Sequence, residues 1–369
     1  MQYQIRESSS NDKDLIQEFN NELKSHGYNF KLTLESNNIS NENNFIFKRQ
    51  FILTESNNFI RAGYTLKYQW FKINNETIQI GYYYNPITAG LFNKKYNVCG
   101  ILLLKDAHKK NSNLFSLGMG GYSEALPKLL KVMSWHLKKV PFFFKIINPY
   151  TFLQNINYLK KSIFKSFIIN LFAKSGLGWI FIKLIFFIIN LNSVRFKKKI
   201  ITVNEVEIFN KEVNDVWENT KKNVYFSAVR NEEYLKTLYS DKKFIKLRFS
   251  SGGEIVGWSI SLCNKLEKHK YFGHMKLGSI VDCLSVEGYE SSIINKTSNI
   301  LKKKGADLIV SNQSHLFWQN AFKRNSFMNG PSNFIFASSE NLSKKFKNVE
   351  NEEKYIHVTR GDGDGPINL

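Results

Sequence analysis

Asp282 interrupts Ser279–Val286, an otherwise nearly continuous apolar run rich in Val, Ile and Leu. A carboxylate in such a strand, once buried, must be ion-paired or carry a shifted pKa. A raised value would suit a general base, and a firm ion pair would make the residue structural. A second apolar run, Ala306–Val310, is followed by Asn312, Gln313, Ser314 and His315, at the carboxyl edge where open α/β sheets bind ligands. His315 could transfer a proton there, or simply be a solvated histidine at a helix start. Between the runs lies Ser285-Val286-Glu287-Gly288-Tyr289-Glu290-Ser291-Ser292, leading into a helix. The first half offers two comparable stretches. Pro86 to Lys95 carries Gly90, Lys94 and Lys95, while Gly118-Met119-Gly120-Gly121 suits either an anion cradle or a tight strand-to-helix turn.

The elements that must position these residues follow from periodicity. After Tyr289, Ile293, Ile294, Ile300 and Leu301 share one helical face, and the helix ends at Gly305 after Lys302-Lys303-Lys304. Ser314 offers an N-cap to a helix carrying Leu316, Phe317, Ala321 and Phe322. Strands alternating with helices of this length predict parallel pairing and an α/β fold. The first half reads as strand Tyr3–Arg6, helix Asp12–His26, antiparallel strands Phe45–Leu53, Phe59–Ile73 and Thr77–Tyr84, and a helix ending near Lys110. Strand Leu114–Leu117, a helix with Leu126, Leu129 and Leu130, and strand Val140–Ile147 complete it. The second half repeats the order. Ile200–Phe209 reads as a strand, two short helices follow, and Phe244–Phe249 and Glu254–Cys263 form a hairpin across Ser250-Ser251-Gly252-Gly253.

Residues 279–327, in the order strand, loop, helix, strand, helix, resemble the core of a GNAT acyltransferase. The two halves together resemble a tandem GNAT-like architecture, that of Fem-type aminoacyl-transferases and proteins of surface-polysaccharide gene clusters. The resemblance implies an α/β chain of two tandem GNAT-like domains, each a mixed central sheet flanked by helices. The expected boundaries are 1–154, a basic aromatic helical connector at 155–199, a second domain at 200–345 and a tail at 346–369. It implies N-acyl transfer from acetyl-CoA or a related acyl-CoA to an amine of a sugar or cell-envelope precursor; a Fem-like relative would use aminoacyl-tRNA. The pantetheine would run beside Leu284 and Val286, with the pyrophosphate on backbone N–H groups near Gly288, Ser291 and Ser292, or near Gly90, Lys94 and Lys95 in the first half. Asp282, Asn312 and His315 become the catalytic candidates, since acyl transfer needs a base and a proton donor. Two features depart from the family pattern. The second-half loop has one glycine and two carboxylates, and Trp318 stands roughly where the family has its acidic tyrosine. A degenerate, non-catalytic pair that binds at a membrane surface is the alternative.

The 369-residue chain is 43% hydrophobic, enough for one large core or two ordinary ones. Its net charge is +21, and residues 91–204 hold 19 basic and 2 acidic groups. Such a field attracts an anionic lipid surface, a phosphorylated or nucleotide-linked amine acceptor, or tRNA; no known nucleic-acid module is present. Within that region Phe167–Leu191 is apolar but broken by Lys174, Gly176, Gly178 and Lys183, which fits a membrane-surface helix or a buried connector better than a span. Cys99, Cys263 and Cys283 have no metal-like spacing and read as reduced thiols. With a polar start to the chain, the expected location is the cytoplasm, either free or peripheral to the inner face of the plasma membrane. The Arg360-Gly361-Asp362-Gly363-Asp364-Gly365-Pro366 stretch resembles part of a calcium loop without the later glutamate. It is expected either to lie flat against a ligand or cleft or to be disordered.

Overall fold

The computed structural model describes residues 3–34, 45–55, 59–159, 199–346 and 352–363, with scattered positions of 171–184. The apolar Phe167–Leu191 stretch therefore falls mostly outside the described residues. No helix among those described is long and apolar enough to cross a membrane.

The chain forms two compact units, Met1–Lys139 with Asn333–Glu350, and Val140–Ser332 with Asn351–Leu369. The N-terminal unit contains β1 (Tyr3–Glu7), β2 (Ile46–Glu55), β3 (Ile60–Ile73), β4 (Glu76–Thr88), β5 (Leu114–Gly118) and β6 (His136–Lys139). The chain then leaves for the C-terminal unit, with β7 (Phe142–Ile146), β8 (Thr202–Glu205), β9 (Phe226–Ala228), β10 (Ile245–Ser251), β11 (Glu254–His269), β12 (Gly273–Ser285), β13 (Leu308–Asn312) and β14 (Met328–Gly330). It returns to the first unit for β15 (Ile335–Ser338) and ends in the second with β16 (Ile356–His357).

The two main sheets share one plan. The first runs β1-β2-β3-β4-β5-β15-β6 and the second β8-β10-β11-β12-β13-β7-β14. Each is antiparallel except for one pair, β4 with β5 and β12 with β13. The parallel pairs are joined by crossover helices, Val98–Lys110 and Glu290–Lys303. In the C-terminal unit β9 and β16 add a short parallel pair.

Position by position, β7 is the strand the first half should contribute to its own sheet, and β15 is its counterpart from the second half. They are exchanged. β15 lies between β5 and β6, whereas β7 lies between β13 and β14. This corrects the expected boundaries at 154 and 345: the chain changes unit at 139/140, and residues 333–350 go back to the first unit. Val140–Ile147 does not close the first half. Too few residues separate β6 from β7 to matter; what hydrophobic pattern cannot encode is which of two equivalent sheet edges an apolar strand joins.

The sequence logic holds locally. Ile16, Phe19 and Leu23 of helix Lys13–Ser25 are buried, and the helix ends at Gly27 with φ 84°, whose neighbour Tyr28 donates its N–H to Leu23. Leu103, Leu104 and Ala107 of the crossover helix pack in the same core with Tyr64, Leu66 and Tyr83. In the second core Ile293, Ile294 and Leu301 meet Phe143, Leu247 and Phe249. The β10–β11 hairpin turns on Gly252 and Gly253, both with positive φ, as a two-residue type I′ turn requires. Two strands differ from expectation. β4 continues to Thr88 because a register shift opposite Gly63–Thr65 absorbs Asn85, which has φ 52°, and Pro86, which has no N–H to offer. β8 is confined to Thr202–Glu205, a much shorter strand than Ile200–Phe209.

Candidate functional site

In each unit the parallel pair comes apart at its carboxyl end. β12 and β13 pair from Leu277/Leu308 to Ile280/Ser311, where Ser311 Oγ still donates to Ile280 O at 2.8 Å. β12 then runs on to Ser285 without β13. β4 and β5 pair at Gly81/Leu114 and Tyr82/Phe115, after which β4 runs on to Thr88. Each divergence leaves a wedge whose floor is backbone able to hydrogen-bond an extended guest, with a helix start close by.

In the N-terminal unit that helix start is open. The chain turns through Ala89–Leu91 and Lys94–Tyr96 before helix Val98–Lys110 begins. Asn97, at the N-cap, makes no side-chain capping bond, so no side chain of the loop caps the first-turn N–H groups. Gly90 is closely packed: a Cβ there would stand 3.1 Å from Asn97 Oδ1, Thr88 Oγ1 and Tyr96 O, which would have to give slightly. Lys94 and Lys95 are exposed, and Lys95 also reaches Glu55 at 3.9 Å. Beside the loop lies a cluster that sequence reasoning missed. Arg61 Nε donates to Glu55 at 2.9 Å and Tyr96 Oη donates to Glu55 at 3.2 Å. Arg61 holds the Glu55 carboxyl below its ordinary range, so this group keeps its charge rather than taking a proton. Burial pushes the nearby Cys99 thiol up to about 11, which removes it as a nucleophile.

The other glycine-rich stretch is a turn. Gly118, Met119, Gly120 and Gly121 all have positive φ, and Glu124 stands at the N-cap of the following helix, where an anion would have to go.

The C-terminal unit has the same parts, already occupied. At the start of helix Glu290–Lys303, the Gly288 N–H donates to both carboxylate oxygens of Glu290, at 3.0 and 3.2 Å. Burial raises the Glu290 pKa, and Glu287 adds a second negative charge nearby. Ser292 Oγ is bound to Lys199 O, and Ser291 accepts from Asn325 Nδ2. Leu284 is buried opposite Trp258, and the Val286 N–H donates to Val256 O.

The three sequence-predicted catalytic residues of this unit do come together, on a segment of the chain itself. Asp282 accepts from Thr359 Oγ1 at 3.1 Å. Asn312 Oδ1 accepts from Arg360 Nε at 2.8 Å. His315 faces His357, ring centres 5.6 Å apart, next to Trp318. Thr359 forms an antiparallel bridge with Gln313, and the Ser314 N–H donates to Val358 O. Asp282 also receives Arg230 Nε at 3.1 Å and the Tyr234 and Tyr239 hydroxyls, each at 3.1 Å. On its far side Arg230 Nη2 binds Asp362 at 2.8 and 2.9 Å, and Nη1 binds Ser227 and Ala228. The side chains of Arg230, Asp282 and Asp362 are all fully buried.

The electrostatics follow from that burial. It opposes the charge on Arg230, but Asp282 and Asp362 outweigh it and raise the pKa well above the ordinary value. Burial raises Asp362, with Asp282 adding to it and Arg230 opposing. Burial, with Arg230 nearby, drives His315 down to about 4 and His357 well below its ordinary value, so both rings are neutral. A carboxylate with this many donors is a structural anchor rather than a ready base. Arg230, Tyr234, Tyr239, His357 and Thr359 carried no sequence signal beyond a lone arginine closing the Val224–Val229 run.

A central parallel pair, a crossover helix and a wedge, repeated in two sheets of one order, decide the architecture. The fold is GNAT-like, in two tandem domains. Solved structures agree. A GCN5-related N-acetyltransferase from Anabaena variabilis is 8% identical with a TM-score of 0.52, covering 91% of this chain and 72% of that one. N-myristoyltransferase of Saccharomyces cerevisiae with bound myristoyl-CoA is 7% identical with a TM-score of 0.50, covering 91% of this chain and 78% of that one. A further structure of the yeast enzyme, with myristoyl-CoA and inhibitors, gives 0.51 at 8% identity, over 91% of this chain and 80% of that one. At such identities the likeness is one of fold. No protein-family model and no curated protein matches the sequence.

Proposed function

We propose that the chain is an N-acyltransferase whose acyl donor is a coenzyme A thioester, acetyl-CoA in the simplest case. The open start of helix Val98–Lys110 beside the β4/β5 wedge carries this reading. The residues there fit the group. The diphosphate would be held by the uncapped first-turn N–H groups and the close-packed backbone at Gly90, with Lys94 and Lys95 beside it. An amide-bearing arm would lie along β4 past Tyr82, where its pairing with β5 ends. The bound donor supplies the activated acyl carbon; the protein's part is to orient it and keep water from it. The acceptor in this reading is an amine on a sugar or other cell-envelope precursor, small or nucleotide-linked, encountered near the inner face of the plasma membrane. The charge of +21, with 19 basic and 2 acidic groups in residues 91–204, supports an anionic acceptor or lipid surface.

Thermal unfolding with and without ligand tests the donor. At one hundred times Kd, a ligand specific for the folded state adds about 2.7 kcal/mol. Acetyl-CoA and coenzyme A are expected to raise Tm by several degrees, whereas adenosine does not. No shift with either at millimolar concentration overturns the reading, and a shift with aminoacyl-tRNA alone would replace the thioester with that donor.

A further inference from the structure

Two helix starts and two wedges would give the chain two donor sites. The C-terminal pair, however, is already filled by protein groups of complementary chemistry. The Glu290 carboxylate takes the Gly288 N–H, and Lys199 Nζ lies over the Tyr289 ring at 3.9 Å, covering the same corner. The wedge holds Ile356–Gly363, laid in as an extended strand and then a tight turn. Ser314 Oγ donates to Ile356 O and accepts from the Val358 N–H, both at 2.7 Å, and Thr359 bridges Gln313. Thr359, Gly361 and Asp362 are buried, and Gly361 lies so close to Tyr239 Oη and Asp282 that no side chain would fit.

We propose that residues 356–363 are a permanent internal occupant of the C-terminal wedge, standing where an extended ligand would lie, so that this half takes no acyl donor and the chain carries one donor site, in the N-terminal unit. The inference rests on the acyl-donor reading for the site count and on geometry alone for the occupied wedge. Arg230 makes the occupancy lasting, because withdrawing Asp362 would leave its fully buried Nη2 without its carboxylate acceptor. The turn that follows the strand is also closed by bonds of its own. The Thr359 N–H donates to Asp362 Oδ2 at 2.8 Å and the Gly361 N–H to Thr359 Oγ1 at 3.2 Å.

Two measurements on the full chain separate this inference from the reading it rests on. Native-state hydrogen exchange needs no ligand. The Val358, Thr359 and Asp362 amides are expected to exchange as slowly as those of β12, opening only with global unfolding; exchange at the rate of an exposed loop overturns a permanent occupant. Calorimetric titration with acetyl-CoA counts sites. One site per chain is expected, weakened on the order of tenfold by the Lys94→Glu/Lys95→Glu double variant and unchanged by Glu290→Ala, which clears the second helix start. Two sites, or one that survives the lysine changes and responds to Glu290→Ala, overturn the inference and leave the donor reading standing. Slow exchange with no heat at all keeps the occupied wedge and overturns the donor reading instead.

Discussion

Asp362 lies 2.8 Å from Arg230, 132 residues earlier in the chain, and neither side chain reaches solvent. Asp362 and Asp282 share that one guanidinium, and tyrosine, threonine and backbone donors surround the two carboxyl groups. Such a network depends on every member being present.

Replacing Arg230 with methionine removes the one cation and leaves two carboxylates buried together. The expected loss is about 3–5 kcal/mol of unfolding free energy. Chemical denaturation checks it, and adding Asp282→Asn and Asp362→Asn to Arg230→Met should recover part of the loss. A single variant within 1 kcal/mol of the parent, as for a surface ion pair, would show that the cluster does not hold the segment.

Stability should also fall with mild acid. His315 titrates near 6.5 when unfolded and at about 4 when folded, and His357 is depressed in the same direction. The unfolded chain therefore binds more protons between those values. The stabilisation from a neutral buried ring is complete above pH 6.5 and is lost as the pH falls towards 4, about 3 kcal/mol for a shift of this size. The groups facing these rings are Arg230, each other and the Lys354 backbone. His357→Phe should flatten the slope of Tm between pH 7 and 5; an unchanged slope refutes the assignment.

Gly361 has no room for a methyl group. Gly361→Ala drives Cβ into the Tyr239 hydroxyl and against Asp282. A cost of about 1–3 kcal/mol is expected, with faster exchange at Val358 and Thr359. Tyr239→Phe in the same background should relieve some of it.

The strand exchange predicts how the chain can be cut. Residues 1–154 alone lack β15, and 200–345 alone lack β7. Each fragment leaves a gap inside its sheet rather than at an edge, and unpaired strands of that kind aggregate. Co-expressed 1–199 and 200–369 should copurify as one folded complex, while either alone should be insoluble or without a cooperative transition. Two soluble, independently folding halves would contradict the exchange.

Much of this was legible in the sequence because it is local. The Ile293–Leu301 face, the stop at Gly305 and the Gly252-Gly253 turn each follow from spacing and backbone freedom within a few residues. Asp282 stands out in the letters because a charge in an apolar strand needs company, and Asn312 and His315 because they follow a strand at its carboxyl end. What that company is could not be read. Arg230, Thr359 and Asp362 reach Asp282 from distant segments, and nothing about Arg-Gly-Asp-Gly distinguishes a buried turn from a loose tail. The Glu290 carboxylate at its own helix start was present in the letters as a departure from a glycine-rich loop, and the geometry supplies its reason.

The exchanged strands also set an order of events during synthesis. The N-terminal sheet has its first six strands by Lys139 but cannot be closed until β15, at Ile335–Ser338, has left the ribosome. Until then the β5 edge and β6 stand unpartnered through nearly two hundred further additions to the chain, on the order of ten seconds or more at usual elongation rates. Slow growth of the nascent chain would lengthen that exposure, so a holdase acting on β5 and β6 would matter more to the yield of this protein than one acting on its last-made residues.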